Sequence, residues 1–155
     1  MPPLGGGMEI NMRITAIELQ YEDIMWFGID NNNHIFECTS AGCGNVPEFV
    51  CISKENTESL LNFFMNELAE FTEEKVAVEY DDTNSLLKDC IHLSRKGLYC
   101  YDVYEDDEQQ YIKISEPLKP LEFDSLPSYI KDILENNRVN VDVRTDKIIS
   151  VEHAY

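Results

Sequence analysis

Basic residues are scarce in this chain. Its 155 residues include 12 lysines and arginines against 30 aspartates and glutamates, which gives a formal net charge of −18. Because the phosphates of nucleic acids and anionic lipids repel such a surface, the composition argues against binding to nucleic acid or to a membrane surface. Long apolar runs are also missing, since none approaches the roughly 20 residues of a membrane-spanning helix. We therefore expect no nucleic-acid partner and no membrane association.

Apolar and aromatic residues, in contrast, are plentiful. Hydrophobic residues make up 43% of the chain, which contains seven phenylalanines and eight tyrosines. A disordered acidic tail lacks the residues that build a core, so this chain is expected to fold. Its length suits one domain. A folded polyanion meets a cationic partner faster than a neutral protein does, so the charge indicates a type of partner rather than a reaction.

The cysteines do not form a recognisable framework. They are odd in number and irregularly spaced, at Cys38, Cys43, Cys51, Cys90 and Cys100. Since no secretory signal pattern precedes the domain, we expect free thiols and a cytoplasmic protein.

A metal site is not expected either. His34, Cys38, Cys43 and Cys51 fall within eighteen positions, but the gaps of three, four and seven residues do not match the close ligand pairs of a structural zinc site. Small buried side chains are the favoured interpretation of most of these cysteines. The prediction is therefore no metal and no cofactor.

The hydrophobic pattern predicts one α+β domain over residues 12–155, after a flexible leader over residues 1–11 whose first seven residues are rich in proline and glycine. Runs typical of strands lie at 13–20, 24–29, 34–39, 76–80, 98–104, 111–115, 139–143 and 148–151. Helical spacing follows Ser53, continues at 86–93 until Gly97, and reappears around Pro127 after a cap at Asp124 or Ser125. We predict a mostly antiparallel sheet with about three helices.

The alternating valines near the C-terminus, Val139, Val141 and Val143, allow two interpretations. They predict either an edge strand, which could pair with a second copy of the chain in a homodimer, or a covered strand inside the sheet.

The acidic residues are clustered along the sequence. One group includes Asp81 and Asp82, and the second lies in the connection that follows Asp102 and Tyr104, which we expect to be longer than a tight hairpin turn. A single acidic loop is more often a solvated surface, whereas the excess over the whole chain favours a surface directed at a partner. The candidate partner-binding residues are Asp81, Asp82, Asp102, Tyr104, Glu105, Asp106, Asp107 and Glu108. No pair of carboxylates is distinctive enough to be assigned as catalytic.

One stretch of the chain resembles a known class of proteins. It begins with Trp26-Phe27-Gly28-Ile29-Asp30 and an asparagine-rich turn, continues with Ile35-Phe36 and Thr39-Ser40-Ala41-Gly42, and closes with Gly44, Val46-Pro47 and Val50. This pattern is similar to small bacterial proteins encoded beside polymorphic toxins, the immunity proteins. The sequence departs from the pattern at Asn33, where a hairpin glycine is expected, and at Cys43, which interrupts the glycine-rich loop.

The resemblance implies a non-enzymatic inhibitor of a cognate protein toxin. Nuclease toxins are often cationic because they hold phosphates, so an acidic inhibitor can cover the same surface. Aromatic anchors near the acidic hairpin, among Tyr99, Tyr101 and Tyr104, would then hold the complex, whereas Trp26 is expected in the core.

Two other functions stay open from the sequence. The glycine-rich loop of residues 40–45, from Ser40 to Asn45, could bind a small molecule as part of a sensing or regulatory module. A thiol enzyme would use one cysteine as its nucleophile, with Cys43 as the best placed.

Overall fold

The computed structural model describes residues 12–78 and 85–155, and the predicted leader lies outside them. Within these ranges the α-helices are Ala16–Tyr21 (α1), Glu48–Cys51 (α2), Lys54–Asn62 (α3), Ser85–Ser94 (α4) and Ser128–Glu135 (α5). The strands are Met25–Ile29 (β1), Ile35–Thr39 (β2), Glu74–Val76 (β3), Tyr99–Tyr104 (β4), Asp107–Pro117 (β5) and Ile148–Ser150 (β6). The predicted class, a single α+β domain with a mostly antiparallel sheet, is confirmed.

The six strands form one sheet, in which five follow the order β1-β2-β4-β5-β3 and β6 pairs with β5 beside β3. The hairpin of β1 and β2 joins the hairpin of β4 and β5 through a parallel pairing of β2 with β4. The long strand β5 pairs along its other edge with β3 near its end and with β6 nearer its start.

Both faces of the sheet are covered. On one face a core that includes Phe27, Ile35 and Cys100 packs with apolar residues of α3, α4 and α5. On the other face Trp26, Phe36 and residues of the C-terminal segment form a second core. Strands buried on both sides contain apolar residues at successive positions, which explains the runs in β1, β2 and β4.

The three predicted helices are present. Ser53 caps α3 by accepting a hydrogen bond from the Asn56 amide, and a π-helical turn, Phe63–Glu67, follows α3. Three residues after α4, Gly97 adopts a φ of +92° that suits glycine. The predicted caps of the third helix are wrong, because Asp124 and Ser125 lie in a separate 3₁₀ turn and α5 begins directly after Pro127.

The strand predicted at 13–20 is wrong, because this segment contains helix α1. Thr15 accepts a hydrogen bond from the Glu18 amide, while the Glu18 carboxylate accepts one from the Thr15 amide. This reciprocal capping box fixes the start of a helix locally. The apolar alternation in the segment was the weaker signal.

The strand predicted at Val139, Val141 and Val143 is also wrong. Here the structure has an isolated bridge between Ile29 and Arg138, followed by a turn over residues 142–146. The buried Asp30 carboxylate accepts the Val143 amide, and this hydrogen bond replaces a strand pairing. Because residues 139–143 form no strand, the structure does not support a homodimer formed by pairing of such an edge strand.

The connection between β4 and β5 is shorter than predicted. Glu105 and Asp106 form a two-residue turn, and Asp107 and Glu108 already belong to β5. Acidic residues are uncommon in strands, which is why the sequence pattern assigned them to a loop.

The expectation of free cysteines is wrong for two of the five. A disulfide joins Cys90 of α4 to Cys100 of β4, with 5.5 Å between their Cα atoms, while Cys38, Cys43 and Cys51 are free. Both bonded cysteines are buried in the core beneath the helices. One of the two arguments for a reducing compartment is thereby removed.

Replacing Gly97 with alanine should destabilise the fold. The positive φ is unfavourable for alanine, and its Cβ would lie only 2.8 Å from the Leu121 Cα. We expect the free energy of unfolding, measured with urea, to fall by at least about 2 kcal/mol. Asn33→Gly is the control, because Asn33 has a φ of 63° that glycine adopts freely. Its stability should change by less than about 1 kcal/mol, and equal losses in the two variants would show that position 97 has no special need for glycine.

Candidate functional site

The predicted acidic hairpin forms an exposed end of the sheet. Glu105, Asp106, Asp107 and Glu108 are all exposed, whereas Asp102 and Tyr104 are partly buried on β4. Asp81 and Asp82 lie outside the described residues. Of the three tyrosines considered as anchors, Tyr99 and Tyr101 are buried in the core, so the aromatic role predicted for them is wrong.

The hairpin lies against the glycine-rich loop of residues 40–45. The Asn45 side chain donates a hydrogen bond to the Gln109 carbonyl. The Cys43 thiol lies close enough to Glu108, Asp102 and Asp23 for their negative charges to raise its pKa. The two segments that the sequence offered as separate sites are therefore neighbours on one surface.

The backbone of this loop is occupied within the protein. The Cys43 and Gly44 amides both donate to the Ser40 carbonyl, so neither is available to cradle a ligand. At Gly44 a Cβ would meet the Val103 side chain and the Tyr111 hydroxyl, the latter at 2.8 Å. The glycines thus serve a tight turn packed against the sheet.

Helix α1, the two residues after it and helix α3 add a second group of carboxylates to this surface. Glu18, Glu22, Asp23 and Glu58 line a shallow depression together with Lys54, whose ammonium bonds Glu18. Asp23 also accepts the Ala41 amide of the glycine-rich loop. Because the alternation at residues 13–20 predicted a strand, no pattern in the sequence indicated that this segment lies beside the hairpin.

These carboxylates form one continuous surface. Asp23 connects the two groups. Its charge and that of Glu105 both lie close enough to Asp102 to raise the Asp102 pKa. We call the following residues the acidic face: Glu18, Glu22, Asp23, Glu58, Asp102, Glu105 and Glu108. Four of these seven carboxylates, Glu18, Glu22, Asp23 and Glu58, line the same depression as Lys54.

Two exposed apolar side chains accompany the acidic face. Ile17 is 67% exposed and Tyr21 is 82% exposed. Residues three and four apart share one side of a helix, so Tyr21 lies beside both Ile17 and Glu18. An exposed aromatic ring rimmed by charge is typical of a protein-binding surface.

A buried carboxyl group lies beneath this end of the sheet. Glu37 of β2 is fully buried, and the desolvation of its side chain raises its pKa well above the usual range. Thr39 donates to one carboxyl oxygen at 2.6 Å, and the other lies 3.0 Å from the Cys100 sulfur. A disulfide sulfur has no hydrogen, so a hydrogen bond in this contact requires the neutral form of Glu37 as its donor, the form that the raised pKa favours.

Neither Cys43 nor Cys90 is activated for nucleophilic catalysis. Burial and, secondly, Glu108 raise the pKa of Cys43, which disfavours the reactive thiolate. Cys90 is held in the disulfide, and the neighbouring His92 bonds the Glu70 carboxylate. The predicted alternative of a thiol enzyme gains no support from this geometry.

Two groups of side chains in residues 12–78 and 85–155 have the spacing of metal ligands. The first is Glu37 with Cys90 and Cys100, but the two sulfurs are bonded to each other. The second is Asp30 with His34 and Asp142, in which Asp30 already accepts three backbone amides. Neither group offers a set of free ligands.

No helix in the described part of the chain combines the length and the apolar character needed to cross a membrane. Comparison with known proteins gives no match among family models, curated proteins or solved structures. The chemistry of the surface is therefore what indicates a function.

Neutralising Asp102 should stabilise the protein at neutral pH. Burial, with smaller effects from Asp23 and Glu105, raises the pKa of Asp102 from 3.8 to about 6. The folded state thus binds this proton more tightly than the unfolded state, so stability is lost as the pH rises from about 4 through 6. Asp102→Asn should remove that loss and gain on the order of 2 kcal/mol at pH 7.

The measurement is urea unfolding at a series of pH values from about 4 to 8. Asp132→Asn serves as the control, because Asp132 is exposed on α5. Its pH profile should follow the unsubstituted protein. An Asp102→Asn variant whose stability still fell between pH 4 and 6 as steeply as before would show that Asp102 is not the titrating group.

Proposed function

We propose that this protein is a non-enzymatic inhibitor that binds a basic protein toxin through the acidic face. The observation that supports the proposal is the joining of α1 and the β4–β5 hairpin into one surface of seven carboxylates with an exposed Tyr21 beside it. The sequence pattern of residues 26–50, which resembles immunity proteins, supports the same function.

Charge and packing have separate roles in this proposal. The carboxylates attract a cationic surface and speed its encounter with the inhibitor, while the apolar side chains Ile17 and Tyr21 lose water in the complex and slow its dissociation. A toxin that holds phosphates presents positive charge at its active site. Covering that site would inhibit the toxin without any chemical step on the part of this protein.

The platform that carries the acidic face is held rigidly. The two terminal nitrogens of the Arg13 guanidinium donate to the Glu48 carboxylate, and the Ile14 amide donates to the Cys51 carbonyl. These contacts tie the residues just before α1 to α2, so this segment is already ordered before a partner binds. The proposal keeps the cytoplasm as the place of action, where burial shields the Cys90–Cys100 disulfide from reductants.

Small-molecule binding by the loop of residues 40–45 is the weaker alternative. The loop borders a cavity of about 280 Å³, but its Cys43 and Gly44 amides are bonded to Ser40. These two amides of the turn are therefore not directed at a ligand.

The test begins with the polypeptide encoded next to this chain. Produced alone in a host cell it should arrest growth, and co-production of this protein should restore growth. The purified pair should form a complex that weakens by about tenfold or more between about 50 and 300 mM salt. If the adjacent gene product is not toxic, or does not bind, the proposed function is wrong.

Removing charge from the acidic face should slow association with that toxin. The variant combines Glu22→Gln, Glu58→Gln, Glu105→Gln and Glu108→Gln, all at exposed positions. We expect the association rate at low salt, measured by stopped flow or surface plasmon resonance, to fall by about tenfold, because electrostatic steering is lost. The dissociation rate should change less.

The matched control removes the same number of charges away from the acidic face. It combines Glu122→Gln, Asp124→Asn, Asp132→Asn and Glu135→Gln, and all four of these side chains are exposed. Equal slowing in both variants would show that net charge, rather than the acidic face, governs the encounter.

Tyr21 should be an anchor of the complex. Because its side chain is 82% exposed, Tyr21→Ala should leave the free energy of unfolding nearly unchanged. The dissociation constant of the toxin complex, measured by calorimetry, should rise by about tenfold or more. Leu118→Ala, at a residue 62% exposed and outside the acidic face, is the control and should have no effect. Unaltered affinity in Tyr21→Ala would place the contact surface elsewhere.

A further inference from the structure

A second feature lies at the opposite end of β4 from the acidic face. A cavity of about 490 Å³ opens there between the start of β4, the end of β5 and the turn at residues 142–146. Its lining includes His34, Lys75, Tyr99, Glu116, Leu118 and Arg144. Three of these side chains can carry positive charge, in a protein whose formal net charge is −18.

The hydroxyl group of Tyr99 has no partner among the described residues. Tyr101 donates to the Asp146 carbonyl and Tyr111 to the Asn45 carbonyl, as buried tyrosines usually do. Tyr99 is only 3% exposed. In the described residues, however, every fully buried side-chain nitrogen or oxygen has a hydrogen-bond partner, so the unpaired Tyr99 oxygen is not fully buried. It therefore reaches solvent, and the cavity that Tyr99 lines offers it that access.

Two cations on the cavity also lack acidic partners. Arg13, Lys54 and Arg95 each bind a glutamate, whereas within residues 12–78 and 85–155 no carboxylate lies at ion-pair distance from Lys75 or Arg144.

The carboxylates at and near the cavity have hydrogen-bonding or ionic partners other than the Lys75 and Arg144 side chains. Glu116 faces the Lys113 ammonium at 3.5 Å, while Asp142 accepts the Arg144 amide and Asp30 accepts the His34 amide. The positive side chains are thus left available to an anion from solution.

The groups around the cavity are held in place before any ligand arrives. Asp30 accepts the Val143 amide and faces His34 Nδ1, so one buried carboxylate positions both the histidine and the turn that carries Arg144. Lys113 donates to the Arg144 carbonyl. With Nδ1 turned to Asp30, the other ring nitrogen of His34 has no bond to a described residue.

We propose that this cavity binds a small organic anion, whose carboxylate or phosphate group is held by the Tyr99 hydroxyl and the Arg144 and Lys75 side chains. A planar guanidinium and a hydroxyl donor suit either oxyanion. Leu118 and the adjacent prolines, Pro117 and Pro120, provide an apolar wall for the rest of the molecule. The site shares no residue with the acidic face and stands independently of the proposed toxin binding.

The test uses benzoate and phenyl phosphate as probes, with benzyl alcohol as the uncharged counterpart. Titrations followed by calorimetry and by amide chemical shifts in NMR spectra should show saturable binding of at least one anion, with shifts centred on residues 99 and 142–146, and none of the alcohol. The stronger of the two probes distinguishes a carboxylate ligand from a phosphate ligand.

Tyr99→Phe is the decisive variant, because it removes one oxygen that bonds no described residue and leaves the ring in the core. It should keep the thermal stability and weaken anion binding by about tenfold or more, as expected for the loss of a hydrogen bond to a charged group. Arg144→Gln should weaken binding at least as much.

Tyr129→Phe and Lys88→Gln are the controls, at a half-exposed tyrosine of α5 and an exposed lysine of α4, and they should bind the anion as the unsubstituted protein does. The proposal is overturned if neither anion binds saturably below about 10 mM, the weak limit for a specific small-molecule site. It is also overturned if Tyr99→Phe and Arg144→Gln bind as tightly as the controls.

Discussion

The parallel pairing of β2 with β4 is the constraint on which the rest of the molecule depends. It joins two antiparallel hairpins that lie about sixty residues apart in the sequence, with Phe36 opposite Tyr99 and Thr39 opposite Asp102. At one end this register brings the glycine-rich loop beside the acidic hairpin. At the other end it places the His34 ring 5.7 Å from the Tyr99 ring, at the mouth of the cavity. Both candidate sites therefore arise from one long-range contact, and a shift of one residue would send every side chain of β2 to the wrong face.

The chain tolerates its excess of acid by treating buried and exposed carboxylates differently. Most acidic side chains remain in water, where repulsion is screened by salt. Inside the protein, burial raises the pKa of Glu37 well above its usual range and so favours its neutral form, whereas Asp30 accepts three backbone amides and also faces His34. For Glu37 the neutral form avoids the cost of a buried charge, and for Asp30 hydrogen bonds offset that cost. The seven carboxylates of the acidic face lie outside both cores.

The parts of the fold that could be predicted are those set by residues that are neighbours in the sequence. Ser53, Gly97 and Pro127 mark helix boundaries through the backbone chemistry of neighbouring residues, and the helices near them are present. Residues 13–20 also carried a local signal, the Thr15–Glu18 capping box, which the apolar alternation obscured. The valines at 139–143 could not be placed from the pattern, because the contact that replaces their strand pairing comes from Asp30, more than one hundred residues earlier.

The candidate surface shows the same division. By itself, the sequence determined the acidity of the chain, the presence of a core, the α+β class and the acidic hairpin, since composition and short-range periodicity are properties of neighbouring residues. Only the tertiary structure decided that α1 lies beside that hairpin, that Tyr21 rather than Tyr99 or Tyr101 is exposed, and that Lys75 and Arg144 meet at one cavity. These are proximities between distant segments, and they are set by strand register and core packing, which the spacing of residues along a single chain does not specify.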